Sequence, residues 1–111
     1  MDVDVRVAAV NAFARITEKG NPDAIKALAE RLEDHDDDVR SAAVNAFLQV
    51  AEKGNPGAIQ AVSERFDHVN EEVRCVALYL MAQIAGKENA DAIKAVSDRL
   101  EDVNEAVRSE A

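Results

Sequence analysis

The chain has 111 residues, 48% hydrophobic but only 4% aromatic, so it suits one domain whose core is filled by Ala, Val, Ile and Leu. Its formal net charge of -9 argues against nucleic acid, because phosphate binding depends on Lys and Arg releasing counterions, and leaves a basic protein surface as a charge-compatible partner. The single cysteine, Cys75, excludes an intrachain disulfide and a multi-thiolate metal site, and there is no uninterrupted apolar run of about 18 residues. The expectation is a soluble chain compatible with the reducing cytoplasm, with no membrane segment.

Residues 4–19 read as a first long helix, because Val5, Ala8, Ala9, Ala12, Phe13 and Ile16 recur at spacings of three and four. Gly20 ends it, as a residue that tolerates the left-handed conformation past a helix terminus. Asn21-Pro22-Asp23 opens a short helix over 22–33: Asn21 caps, Pro22 suits the first position, and Asp23 complements the dipole. That helix turns Ala24, Ile25, Leu28 and Leu32 inward, and Lys26 and Glu30 outward.

Glu33 to Asp38 form an acidic turn that also supplies the next N-cap. The run lacks the central Gly and terminal Glu of a calcium loop, so no metal site is assigned, and His35 and His68 read as solvated turn residues. Long helices follow over 37–53 and 71–87, and short ones over 56–67 and 90–101. In the third long helix Tyr79, Leu80 and Met81 raise the apolar content, and Glu88-Asn89-Ala90 stands where Gly-Asn-Pro stood, which makes the Gly86–Asn89 junction the loosest.

These elements recur because the chain is built from one repeated unit. The pair Val-Arg falls at Val5-Arg6, Val39-Arg40, Val73-Arg74 and Val107-Arg108, a constant step of 34 residues. A fixed period in the range of about 20 to 50 residues marks stacked-repeat architecture. Residues 2–35, 36–69 and 70–103 are three units of one domain spanning 1–111, and 104–111 begin a fourth. Each Val-Arg arginine sits in a first helical turn, where a cation opposes the dipole. Acids such as Asp34, Asp38 and Glu72 offset this, and the expectation is a structural ladder of arginines bonded to turn carboxylates of the same or adjacent units.

The stretch Asp36-Asp37-Asp38-Val39-Arg40-Ser41-Ala42-Ala43, a short helix and acidic turn leading into a long helix, resembles the HEAT-repeat family, especially the HEAT-like units of phycobilisome lyases. The tetratricopeptide repeat shares the period, but its Trp, Leu-Gly and Tyr pattern is absent. The expected fold is all-α, a right-handed α-solenoid of antiparallel helix pairs. The resemblance implies protein binding along a concave surface lined by the second, long helices.

The side of the long helices outside the apolar arc carries Val7, Asn11 and Arg15, then Ser41, Asn45, Leu48 and Gln49, then Cys75, Tyr79 and Gln83. Stacked into columns, these are the candidate partner-binding residues, since Tyr is enriched in interface hot spots and amides can hydrogen-bond. No nucleophile lies in a recognisable motif with a His and an acid, no Gly-rich phosphate loop occurs, and no metal spacing is present, so no catalytic residue or cofactor is assigned. A non-catalytic interaction or scaffolding module is the leading expectation. A regulatory or chromophore-lyase-type subunit, or a designed or excised array with no function of its own, stand as alternatives.

The apolar arcs at the two ends expect a neighbour: Val5, Ala9, Ala12 and Ile16 at one, Ile93, Val96 and Leu100 at the other. Because residue 2 is the register equivalent of residue 104, end-to-end self-association is expected, as an open head-to-tail stack or a helix-exchanged dimer.

Overall fold

Every helix begins at a short polar side chain that takes up an otherwise orphan amide. Asp2, Asp36 and Asn70 accept from the N–H groups of Asp4, Asp38 and Glu72 at 2.9, 2.8 and 2.8 Å. Asn21, Asn55 and Asn89 accept from Ala24, Ala58 and Ala92 at 3.1, 3.1 and 3.0 Å. Each such cap is worth about 1 kcal/mol relative to Ala. The computed structural model describes residues 2–86, 89, 90 and 92–100. The helices that follow the caps are α1 (Val3–Ile16), α2 (Pro22–Arg31), α3 (Asp37–Val50), α4 (Pro56–Ser63) and α5 (Glu71–Ile84). Residues 92–100 are also helical, and no strand occurs among the described residues.

The long helices stop three residues earlier than the sequence suggests, because Thr17, Ala51 and Ala85 turn extended (ψ 137, 129 and 139°). Gly20 and Gly54 do adopt positive φ, 80 and 82°, but they do not cap their own helices. Their N–H groups donate to the carbonyls of Val50 and Ile84, at 2.7 and 2.6 Å. Each glycine thus satisfies the last carbonyl of the next long helix, one of the groups a helix C-terminus leaves without a partner. Glu88 holds the same register in the third unit; the expected loosening around Gly86–Asn89 centres on residues 87 and 88, outside the described residues. The short helices also end early. Their last turn tightens to three-residue spacing, as in Leu32 N–H to Ala29 O at 3.1 Å and Phe66 N–H to Ser63 O at 3.2 Å.

Helix α3 packs on α1, α2 and α5, while α4 packs on α2 and α5. The packed pair is therefore a short helix with the long helix that follows it across the acidic turn, an αα-hairpin. Long helices form one layer and short helices the other. The molecule is 16 Å deep along its thinnest direction, which fits two layers with axes about 8–10 Å apart. Between the layers lie Leu28, Leu32, Val39, Phe47, Val50, Val62, Leu80, Met81 and Ile84, all essentially without exposure.

Helix α1 departs from the expected arc. Val10 and Ala14 are its buried residues, while Val5, Ala8, Ala9, Ala12 and Ile16 are exposed. The same positions of α3 are buried. The difference is what lies alongside: α2 covers α3, whereas no described helix covers that side of α1.

The stitch at the glycines is testable by substitution. Gly54→Ala places a Cβ where nothing lies within 4 Å, so its cost is that of the left-handed backbone, about 1–2 kcal/mol. Gly86→Ala also meets open space, without a positive φ, and should be neutral or stabilising by up to about 1 kcal/mol. Urea denaturation separates them; equal losses in both variants would contradict this account.

Candidate functional site

The arginine of each Val-Arg pair folds back onto the turn before its helix. Arg40 is 4% exposed. Its Nη1 donates to the backbone carbonyls of Asp34 and His35 at 2.7 and 2.9 Å. Its Nη2 meets Asp37 and, from the next unit, Glu72. Arg74 donates in the same way to the carbonyls of His68 and Val69, at 2.6 and 3.2 Å. Arg6 lies against Asp34, with Nε 3.3 Å from Oδ2. The ladder expected from the sequence is present as Arg6–Asp34 and Arg40–Glu72, but its buried half consists of backbone carbonyls. Those bonds carry more of the stabilisation: a hydrogen bond involving a charged group contributes about 1.5–3 kcal/mol, whereas ion pairs to solvent-exposed acids such as Asp37 and Glu72 contribute about 0–1. Arg40 is thus committed to the fold rather than to binding an anion.

A second column runs beside the first. Arg65 Nη2 lies 3.1 Å from Glu33 Oε2, its Nη1 donates to Ala61 O at 2.8 Å, and Arg99 pairs with Asp67 one unit on. His68 joins this column, with Nε2 2.9 Å from Glu33 Oε1, and its Nδ1 accepts from the Asn70 N–H at 3.0 Å. It is therefore half-buried and bonded at both nitrogens, not a solvated turn residue. The reason is register: it stands where Asp34 stands one unit earlier, and Asp34 accepts from the Asp36 N–H in the same manner, at 3.0 Å. His35, one residue out of that register, is exposed.

Burial alone would raise the Asp34 carboxyl. The Asp36 amide, the adjoining Arg6 guanidinium and the charge of Arg31 outweigh that effect and hold it below the ordinary carboxylate range.

With these groups engaged at the turns, the broad face of the long helices is left to solvent. Asn11 and Arg15 on α1, Ser41, Asn45 and Gln49 on α3, and Cys75, Tyr79 and Gln83 on α5 are all exposed. Val7 and Leu48 are not: both are half-buried and packed against the core. The register positions Ala14, Leu48 and Ala82 pass from buried to half-buried to exposed along the stack. These positions turn toward the next long helix, and α1 packs more extensively on α3 than α3 does on α5.

That looser approach opens a cleft of about 380 Å³ at the C-terminal ends of α3 and α5, lined by Lys19, Leu48, Ala51, Glu52, Lys53, Gln83 and Ile84. It unites Leu48 and Gln83 of the expected set. It also brings in Lys19 and Lys53, which the sequence signals by a lysine before each Gly-Asn-Pro. Cys75 lines a separate depression of about 420 Å³ with Phe66, Asp67, Glu71, Arg74, Leu78 and Arg99. The surface therefore offers amides, one aromatic ring and mixed charge, a chemistry suited to a polypeptide. Among the described residues no cluster of three metal-ligating side chains occurs, and no helix is long and apolar enough to cross a membrane.

A family model described as HEAT repeats matches residues 1–82. No curated protein matches the chain.

The electrostatics of Asp34 give a pH signature. Its folded pKa lies below its unfolded value, which is about 3.9 for an ordinary Asp. It therefore contributes stability that is fully present above that value and is lost as pH falls through the folded pKa. The stability difference between wild type and Asp34→Asn should be constant above about pH 5 and shrink below about pH 4. A difference that stays constant down to about pH 2 would show that the Arg6–Asp34 contact does not discriminate the ionised carboxyl.

Proposed function

The chain belongs to the HEAT-repeat family, and we propose on that footing that it is a non-catalytic interaction or scaffolding module holding a protein partner along the face of α1, α3 and α5. HEAT repeats generally mediate protein–protein interaction or scaffolding. The observation that carries the reading to a particular face is Tyr79, a large aromatic left 54% exposed in the same column as exposed Asn11 and Asn45. A tyrosine held on a packed helix loses little further freedom on binding, and it offers both apolar area and a hydroxyl to a partner. Asn45, Gln49 and Gln83 surround it with amides that can donate and accept. The acidic surplus favours a partner with basic groups near the contact and disfavours nucleic acid and anionic membrane.

The experiment is capture of a partner on the immobilised chain, followed by affinity measurement with variants. Tyr79→Ala should weaken binding about ten-fold or more, the effect of losing roughly 1.4 kcal/mol at a hot spot. Lys26→Ala, at an exposed position of α2 in the other layer, should leave it unchanged. The reverse pattern would move the site to the short-helix layer.

A further inference from the structure

The short-helix layer carries the same outward residues in its first and third units and different ones in its second. The first unit has Asp23 and Lys26 where the third has Asp91 and Lys94; at those registers the second has Gly57 and Gln60. As a result α4 holds no charged residue over Pro56–Ser63, in a chain that is 32% charged. Its outer face is uncharged, with Pro56, Gly57 and Gln60 exposed and Ile59 and Ala61 half-buried. Charge returns at the border, on exposed Lys26 and Glu30 of α2 and on Glu64 just past the end of α4. An uncharged centre inside a charged rim is the anatomy of a protein contact.

That face borders a groove of about 440 Å³ between α2 and α4. Buried Ala29 and half-buried Ala61 floor it, and Gly57 and Gln60 line its α4 side. The fold does not require glycine at 57. Gly57 has no positive φ, and a Cβ there would meet Asn55 Oδ1 at 3.3 Å. Asp23 carries a Cβ at the same register, while Asn21 caps α2 as Asn55 caps α4, each through a 3.1 Å bond. Glycine lowers helix stability, and its effect here is to leave the α4 backbone open to close approach from the groove. At the far end, Glu30 and Glu64 stand one repeat step apart on opposite walls. Asp98, the next member of that column, pairs with Lys94 of its own helix at 3.6 Å. Gln60 cannot supply such a partner to Glu64, and among the described residues neither Glu30 nor Glu64 forms an ion pair.

We propose that this groove is a second docking surface, on the layer opposite Tyr79, for a short segment of a partner protein that carries small apolar side chains followed by a Lys or Arg. The apolar side chains lie along Ala29, Gly57 and Ala61, Gln60 bonds the segment's backbone, and the cation sits between Glu30 and Glu64. The order of charges sets the direction. Lys26 stands one helical turn before Glu30 on the same wall, so a reversed segment would set its cation against a cation. The formal net charge of -9 favours the same partner chemistry.

Amide chemical shifts of the isotope-labelled full chain test this, with blocked peptides of about six residues, Ala and Leu ending in Arg, Gln or Glu, supplied at about 1 mM. The Arg peptide should shift the amides of Gly57, Gln60, Ala61 and Glu64, the Gln peptide should shift them less, and the Glu peptide should leave them in place. Gln60→Lys restores the residue that both other units carry at this register, so the fold accommodates it. By placing a cation beside Glu64 it should weaken the Arg peptide about ten-fold or more. Glu30→Gln, at an exposed position, should also weaken it, and Tyr79→Ala should not. An equal response to all the peptides, no response to the Arg peptide, unaltered binding in Gln60→Lys, or shifts confined to the long-helix face would each overturn the proposal.

Discussion

Each long helix after the first is fastened at both ends to the unit before it. At the N-terminal end of α3, the Arg40 guanidinium reaches back to the carbonyls of Asp34 and His35, and Asp34 is itself held by Arg6. At the C-terminal end, the Gly20 amide closes on the Val50 carbonyl. Arg74 and Gly54 do the same for α5. Both devices satisfy backbone groups that buried helix ends would otherwise leave unpaired, at about 1–3 kcal/mol for each group left without a partner. With the ends pinned, the span between can be packed by small side chains such as Ala42, Ala43 and Ala46, which bring helices close with few large residues.

The same constraint accounts for most of the acidic run. Glu33 holds Arg65 and His68, Asp34 holds Arg6 and the Asp36 amide, Asp36 caps α3, and Asp37 lies against Arg40. Four of the five acids between Glu33 and Asp38 are thus engaged at the turn, Glu33 reaching into the next unit, and a cluster that looks like a cation site in one dimension is dispersed in three. Because the acids of the turn are engaged there, the helix face carrying Asn45, Tyr79 and Gln83 presents amides and one aromatic ring on packed elements, with Lys19, Glu52 and Lys53 supplying mixed charge in the cleft at its edge. Rigid presentation of that kind limits the ordering cost that opposes association, and in this way the joints serve the proposed partner contact.

Much of this was legible in the sequence. The helix type, the cap at Asn21, the capping role of the acidic turn before α3, and the inward face of α2 follow from apolar spacing and turn chemistry, which are local. The arginine ladder was legible as a charge problem, since a cation in a first turn must be compensated. What was not legible is what depends on a neighbour. The extended residues at Thr17 and Ala51 end their helices early because the glycine three residues on bonds to the following unit. Val7 and Leu48 are half-buried because adjacent long helices approach unequally. His68 is bonded because it inherits the place of Asp34. The exposed apolar face of α1 has the sequence of a core face, and only the absence of a covering helix among the described residues distinguishes it.

The central claim is that successive units are locked by bonds that cross from one to the next, and amide hydrogen exchange at Gly20 and Gly54 tests it most directly. Both residues lie in turns, where an unbonded amide exchanges with little protection. The account predicts that the Gly20 amide exchanges only when α3 opens, with protection matching core amides such as that of Phe47, and that Gly54 follows α5 likewise. Rapid exchange at both glycines while the helices beside them stay protected would contradict it.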